Sequence, residues 1–197
     1  MRIRRPAVFL DRDGVLNEVA VENDTPRSPR SAEELHVVAN AAEELSRLRH
    51  AGYLLVVVSN QPDIARGLVT ASAVQGMHAK LEAALPVDAV YFCPHDTTDR
   101  CNCRKPEPGM LLTAERDHSL ALDASWLIGD RWVDIAAAHS AKVRSVLIDR
   151  PWSWEPTSSG APPPGLEPDE RVADLSAAVA VILADAQKSE PATAASR

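Results

Sequence analysis

The apolar positions of this chain fall into short unbroken runs separated by stretches of helical spacing. "AVFL" (7–10) leads straight into Asp11, which predicts a buried strand over 7–11. "YLLVVVS" (53–59) is a run of the kind found where both faces of a parallel sheet are covered. Between them Leu45 and Leu48 mark a helical stripe that stops at Gly52, and Asn40 with Glu43 has capping-box spacing. Thr70 opens a second predicted helix carrying Val74, Met77, Leu81 and Leu85. "AVYF" (89–92), "SWLIGD" (125–130) and "VRSVLID" (143–149) supply three more strands, with a helix through "DIAAAHSA" (134–141). This alternation predicts the α/β class with a doubly wound, Rossmann-type parallel sheet, whose ligands collect at the carboxyl ends of the strands.

The 197 residues, 45% hydrophobic, suffice for one domain, read here as 1–187 with its core over 7–150. "RPWSWEPTSSGAPPPGLEPDE" reads as an irregular surface segment, and "DLSAAVAVILADAQ" as a closing helix capped by Asp174. Together they make up 151–187, and 188–197 reads as a disordered tail. The net charge of −7 argues against nucleic-acid and membrane partners, since phosphate backbones and anionic lipids select basic faces. Arg2, Arg4 and Arg5 precede an apolar run of only four residues, too short for an export signal, so the expected location is the cytoplasm.

Two acids at one strand end need an explanation. Side chains two apart point the same way, and carboxylates about 5 Å apart repel by roughly 3 kcal/mol at an effective dielectric near 20. Asp11 and Asp13 therefore call for a cation or a shared proton, although Asp-x-Asp-Gly is also an ordinary turn, with Gly14 turning the chain. The ends of the other strands are polar in a complementary way. Asp130 adds a third acid, which suits Mg²⁺; Ser59, Asn60 and Gln61 end the second strand; Arg104 and Lys105 stand ahead of a helix. A carboxylate nucleophile, a second carboxyl, a hydroxyl, a lysine and a metal-binding acid form a set for phosphoryl transfer.

"CPHDTTDRCNC" places Cys93, His95, Cys101 and Cys103 as two pairs joined by five residues, a spacing that matches closed, structural Zn²⁺ and uses every cysteine in the chain. Such a zinc would stiffen the loop delivering Arg104 and Lys105. Asp96 and Asp99 read as loop polarity. His36, His50, His78, His118 and His139 read as surface or satisfied residues, and Trp126, Trp132, Trp152 and Trp154 as packing.

In order, "DRDGVLN", "VVVSNQ", "CRKPEPGML" and "IGDRWVD" resemble the four motifs of haloacid dehalogenase (HAD) superfamily phosphatases, over about residues 7–150. With "ARG" (65–67) and the cysteine loop, the chain is most similar to the heptose bisphosphate phosphatases of that superfamily, with histidinol-phosphate phosphatases as near relatives. The resemblance implies a capless, monomeric enzyme acting on a small phosphorylated sugar, in the making of nucleotide-activated heptose. It implies Asp11 as nucleophile, Asp13 as general acid and base with a pKa raised relative to Asp11, and Ser59 and Lys105 on the phosphoryl oxygens. Mg²⁺ would be held by the Asp11 side chain, the Asp13 backbone carbonyl and Asp130. Asp134 would orient Lys105 or a metal-bound water, or simply cap the helix that follows. Asn60, Gln61, Arg104, Arg66 and Arg131 are the candidates for substrate contact, whereas Arg12, by strand alternation, points away from the acids. A non-catalytic phospho-acceptor domain, a zinc-stabilised binding module and a nucleic-acid 3′-phosphatase are the competing readings.

Overall fold

The computed structural model describes residues 4–22 and 25–189. Residues 1–3, with Arg2, and 190–197 of the expected tail lie outside this range; Lys188 and Ser189 end the last helix. The strands are β1 (Ala7–Leu10), β2 (Ala20–Glu22), β3 (Thr25–Arg27), β4 (Leu54–Asn60), β5 (Ala89–Cys93), β6 (Trp126–Gly129), β7 (Arg144–Ile148) and β8 (Glu170–Val172). The helices are α1 (Ala41–His50), α2 (Ala71–Ala84), α3 (Gly109–His118), α4 (Trp132–Ala141) and α5 (Leu175–Ser189).

Six strands pair in parallel in the order β5-β4-β1-β6-β7-β8, and β2-β3 form a separate antiparallel hairpin. The five strands expected from the apolar runs are all present. Two further features carried no such signal: the hairpin, and β8, which adds a strand to the sheet from within the Pro-rich region. Strand β1 is central, with Val8 in register with both Leu55 and Trp126. The direction of winding reverses between β1 and β6, and a crevice opens there beyond the strand ends.

Alternation along the strands separates the core. Val8, Leu10, Leu55, Val57 and Ile128 pack with α1 and α5 on one face; Ala7, Phe9, Val56, Val58 and Leu127 pack with α3 and α4 on the other. All four residues of β1 are fully buried, which is why the run reads as continuously apolar. Val74 and Met77 of α2 cover Leu35 in a smaller cluster. Among the described residues no helix is long and apolar enough to cross a membrane.

The helix starts differ from expectation at one place. Thr70 Oγ1 accepts from Ala73 N at 3.1 Å and Asp174 Oδ1 accepts from Ala177 N at 2.9 Å, as N-caps do. Asn40 makes no such bond; its backbone is not in the extended conformation a cap needs, and its amide donates instead to Ser176 Oγ at 2.6 Å. Asp174→Ala and Thr70→Ala are each expected to lower unfolding free energy by about 1 kcal/mol, and Asn40→Ala by less than about half of that, as measured by urea denaturation.

Candidate active site

Each acid takes its place from the end of a strand. Asp11 follows β1 and its backbone N–H still donates to Ile128 O at 2.9 Å; Asp130 follows β6; Asp134 lies in the first turn of α4. A carboxylate oxygen from each of the three lies within 4.8 Å of one from both others. Two glycines permit this approach. A Cβ on Gly14, whose φ is +88°, would lie 2.2 Å from Asp130 Oδ2, and one on Gly129 would lie 2.2 Å from Asp134 Cβ.

Lys105 reaches into the acids from the loop before α3. Its Nζ is 2.6 Å from Asp11 Oδ1, 2.6 Å from Asp134 Oδ1 and 2.8 Å from Val58 O. Burial opposes the lysine charge, but the two carboxylates outweigh it and raise its pKa above the ordinary range. One ammonium does not balance three acids. Burial pushes Asp11 up to about 7, with Lys105 pulling against it and Asp134 and Asp13 adding to the rise. Burial, then Asp11 and Asp134, raise Asp130 well above the carboxylate range. Asp130 Oδ1 is buried without a hydrogen-bond partner. Asp134 accepts from Arg131 N at 3.0 Å as a helix cap, and its other oxygen lies 2.6 Å from Lys105 Nζ.

Arg12 overturns one expectation. Strand alternation ends at Leu10, and the chain curls so that Leu16 N and Asn17 N both donate to Arg12 O. The fully buried guanidinium turns back, and its Nε and Nη2 each lie 2.9 Å from an oxygen of Asp13. Burial raises the Asp13 carboxyl, but Arg12, with Ser28 and Gln61, more than offsets it, so Asp13 titrates below its usual range. The expected order of the two acids is thus reversed here. His78, read as a surface or satisfied residue, is buried and satisfied: it lies 3.3 Å from Arg12 Nη1 and is lowered to about 4 by burial and then by Arg12, hence neutral at pH 7.

The polar end of β4 turns inward. Asn60 clamps the Lys105 backbone, Nδ2 donating to Lys105 O at 2.9 Å and Oδ1 accepting from Lys105 N at 3.0 Å. Gln61 Nε2 donates to Asp13 Oδ2 at 3.0 Å and to the buried Ser59 Oγ at 2.8 Å. Both amides were candidates for substrate contact; in this arrangement they hold Lys105 and Asp13.

A cleft of about 570 Å³ opens over the acids, walled by the hairpin, the loop after β4, Arg104 and Arg131, and residues 156–159. Arg104 is nearly buried; Nη1 donates to His95 O at 3.3 Å and Nη2 to Ser158 Oγ at 3.0 Å, while Nε has no partner. The buried Nε of Arg131 is likewise without one. Arg66 is engaged instead, with Nε and Nη2 at 2.7 and 3.0 Å from Asp96. Asp96 is therefore more than loop polarity: with Asp99 it caps a short turn at Thr97–Asp99, and Arg66 lowers its pKa to about 2. The segment from 151 is likewise more than irregular surface. Trp152 Nε1 donates to Asp130 Oδ2 at 2.7 Å, and the stretch after it lines the cleft.

Beside the cleft, Cys93, His95, Cys101 and Cys103 converge. Their sulfurs lie 3.2–3.5 Å apart, and His95 Nδ1 is 3.3 Å from Cys103 Sγ and 3.6 Å from Cys93 Sγ. A tetrahedral site with bonds of about 2.0–2.3 Å has edges only slightly longer than these. The group is compatible with zinc, and its last member directly precedes Arg104.

The HAD-hydrolase-like family model matches residues 102–177. The D-glycero-β-D-manno-heptose-1,7-bisphosphate 7-phosphatase of Photorhabdus laumondii is 35% identical over 157 residues, covering 74% of this chain and 80% of its own length. The enzyme of the same name from Pseudomonas aeruginosa is 34% identical over 149 residues, covering 73% and 81%. The crystal structure of D,D-heptose 1,7-bisphosphate phosphatase from B. bronchiseptica, complexed with magnesium and phosphate, superposes with a TM-score of 0.74 at 29% identity, covering 91% of this chain and 99% of that one. Sheet order, buried acids and these likenesses agree: the chain is a phosphatase and belongs to the HAD-like family of heptose-1,7-bisphosphate 7-phosphatases.

Proposed function

We propose that the chain is a Mg²⁺-dependent phosphomonoesterase that removes the 7-phosphate of D-glycero-D-manno-heptose 1,7-bisphosphate through an aspartyl phosphate. The reading is carried by the three buried acids that share one ammonium beneath an arginine-lined cleft. Their charge deficit and the unpartnered Asp130 Oδ1 fit a small divalent cation. Asp11, the Asp13 carbonyl and Asp130 would hold that cation, whose chemistry there is to offset negative charge on the phosphoryl oxygens.

An oxygen of Asp11 attacks phosphorus, and the bond from phosphorus to the sugar oxygen breaks as Asp13, which must bind its proton in the substrate complex against the pull of Arg12, delivers that proton to the oxygen. In the second half Asp13 takes a proton from water while the water oxygen attacks the same phosphorus. Inorganic phosphate leaves and the Asp11 carboxylate is restored. Arg12 favours the ionised Asp13 that this half needs. Ser59 and Lys105 donate to the phosphoryl oxygens throughout, from positions fixed by Gln61 and by the Asn60 clamp.

Arg104 and Arg131 receive the second phosphate, because their buried Nε groups are donors that no carboxylate occupies. Arg66 acts through Asp96, tying the loop after β4 to the cysteine loop. Zinc on Cys93, His95, Cys101 and Cys103 holds that loop, and so the placement of Arg104 and Lys105. A second reading, histidinol-phosphate phosphatase, is favoured by the five-residue interval between the zinc pairs.

With Mg²⁺, phosphate release from heptose 1,7-bisphosphate should exceed that from histidinol phosphate, fructose bisphosphate and a 3′-phosphorylated oligonucleotide by at least about a hundredfold, some 2.8 kcal/mol in transition-state binding. A faster rate on histidinol phosphate would install the second reading. Asp11→Asn should abolish release in a folded protein, and Asp13→Asn should leave phosphate trapped on Asp11, visible as added mass in the intact protein. Arg104→Met should cost about 10–100-fold in kcat/KM on the bisphosphate, the value of a charged hydrogen bond, and far less on a small monophosphate ester. Metal analysis should find one zinc per chain. Cys101→Ser should lose it, lower the melting temperature and slow release by up to about a hundredfold, as a displaced lysine would.

A further inference from the structure

Asp130 is held from a segment that composition alone would leave on the surface. Trp152 Nε1 donates to Asp130 Oδ2 at 2.7 Å, and Ser153 Oγ donates to the Asp130 backbone oxygen at 2.6 Å. Ser153 is fully buried; its hydroxyl also accepts from Arg150 N at 2.9 Å, and its carbonyl accepts from Trp132 N at 2.9 Å. Further on, Glu155 O accepts from Trp132 Nε1 at 3.1 Å and Ser158 Oγ from Arg104 Nη2 at 3.0 Å. Residues 150–158 thus form a strap that begins on the acid after β6 and ends on the arginine across the cleft.

The chemistry of the donor matters. A carboxylate rotates broadly about its last torsion, so one fixed hydrogen bond selects its plane. An indole N–H donates and carries no charge. Unlike lysine or arginine, it orients the acid without neutralising it, and it leaves Oδ1 as the Asp130 oxygen with no partner. A cation bound there would meet an oxygen already aimed, on an acid paired with no cationic side chain among the described residues.

We propose that Trp152 is a positioning residue of the divalent-cation site: it fixes Asp130, and through the strap it links cation binding to the wall that carries Ser158 and Arg104. The inference rests on reading Asp130 as a cation ligand and goes beyond it by assigning part of the cation affinity to the 150–158 strap. Linkage is reciprocal: if the contact strengthens cation binding, the cation strengthens the contact by the same factor.

The test uses the full chain with its zinc retained and phosphate removed, titrated with Mg²⁺ by calorimetry. Trp152→Phe keeps the ring and loses the N–H. It should weaken Mg²⁺ binding at least about tenfold, as loss of an outer hydrogen bond to a ligand does, and raise the Mg²⁺ needed for half-maximal rate equally. At saturating Mg²⁺ its kcat should recover to within about threefold of the parent, a split that a general structural defect would not give. Trp154→Phe, whose parent indole nitrogen has no partner, should change Mg²⁺ affinity by less than about twofold. In the unsubstituted chain, amide hydrogen exchange across 150–158 should slow several-fold on adding Mg²⁺. Unchanged affinity in Trp152→Phe overturns the proposal, and so does exchange indifferent to Mg²⁺, which keeps the test decisive if the variant does not fold. Mg²⁺ binding sensitive to Trp152 without phosphate release from heptose bisphosphate would reject the proposed substrate alone. Release with Mg²⁺ affinity indifferent to Trp152 would reject this inference alone.

Discussion

The ammonium of Lys105, buried between Asp11 and Asp134 at 2.6 Å from each, is the constraint on which the rest of the site depends. Two carboxylates about 4 Å apart repel by roughly 4 kcal/mol at an effective dielectric near 20, and a third in the same small volume adds to that. Withdrawing the lysine would leave those charges unbalanced at buried positions, a larger loss than any single contact around it. Its position is therefore fixed from several directions. Asn60 grips its backbone on both sides, Val58 O takes a third donor bond, and Cys103 of the Cys/His cluster lies two residues before it. The sheet ends supply the acids; Lys105 supplies the countercharge, held in place by Val58 O and Asn60 of β4.

Even so, the compensation is partial, and the shortfall gives the site its chemistry. Three acids and one ammonium leave Asp11 raised to about 7 and Asp130 raised as well, both chiefly through burial. A second ion pair sits beside the first and is kept apart from it. Arg12 engages both oxygens of Asp13, so adjacent carboxylates two residues apart have opposite environments. Different partners, one lysine shared and one arginine dedicated, divide the labour between two identical side chains.

The architecture was largely written in the apolar pattern, because parallel strands buried on both faces leave short unbroken runs such as 7–10 and 54–58, bounded by polar or turn residues. The acids were legible less from the Asp11–Asp13 pair, which an ordinary turn also explains, than from the complementary polar residues at the ends of the other strands. What escaped the pattern escaped for local causes. The hairpin strands are three exposed or half-exposed residues each, and β8 is "ERV", so neither shows an apolar period. Arg12 defeated alternation because the strand had already ended one residue before Asp11. Asn40 had the residue type and the spacing of a cap but not the backbone angles, which depend on how the preceding loop enters α1. Trp152 was the hardest to see: an aromatic in a Pro-rich stretch is normally packing, and its partner lies 22 residues away in sequence.

A fold without a cap must build its walls from loops, and loops lend precision only where they are tied down. Here each wall is tied by charge or by buried hydrogen bonds. Arg30 Nε holds Asp63 at 2.9 Å, joining the chain beyond the hairpin to the loop after β4; Arg66 joins that loop to the cysteine loop; Arg104 joins the cysteine loop to Ser158. Arginines thus run around the rim, and most meet a carboxylate. The Nε atoms of Arg104 and Arg131, two residues of the cleft wall, are buried without a partner, and leaving them so carries a desolvation cost that a surface arginine does not bear. A chain with a net charge of −7 has carboxylates enough to pair them. That these two nitrogens remain unpaired, on residues lining the same cleft as the acid cluster, is what the proposed bisphosphate substrate would call for: one phosphate at the lysine and the nucleophile, the other at donors no carboxylate has claimed.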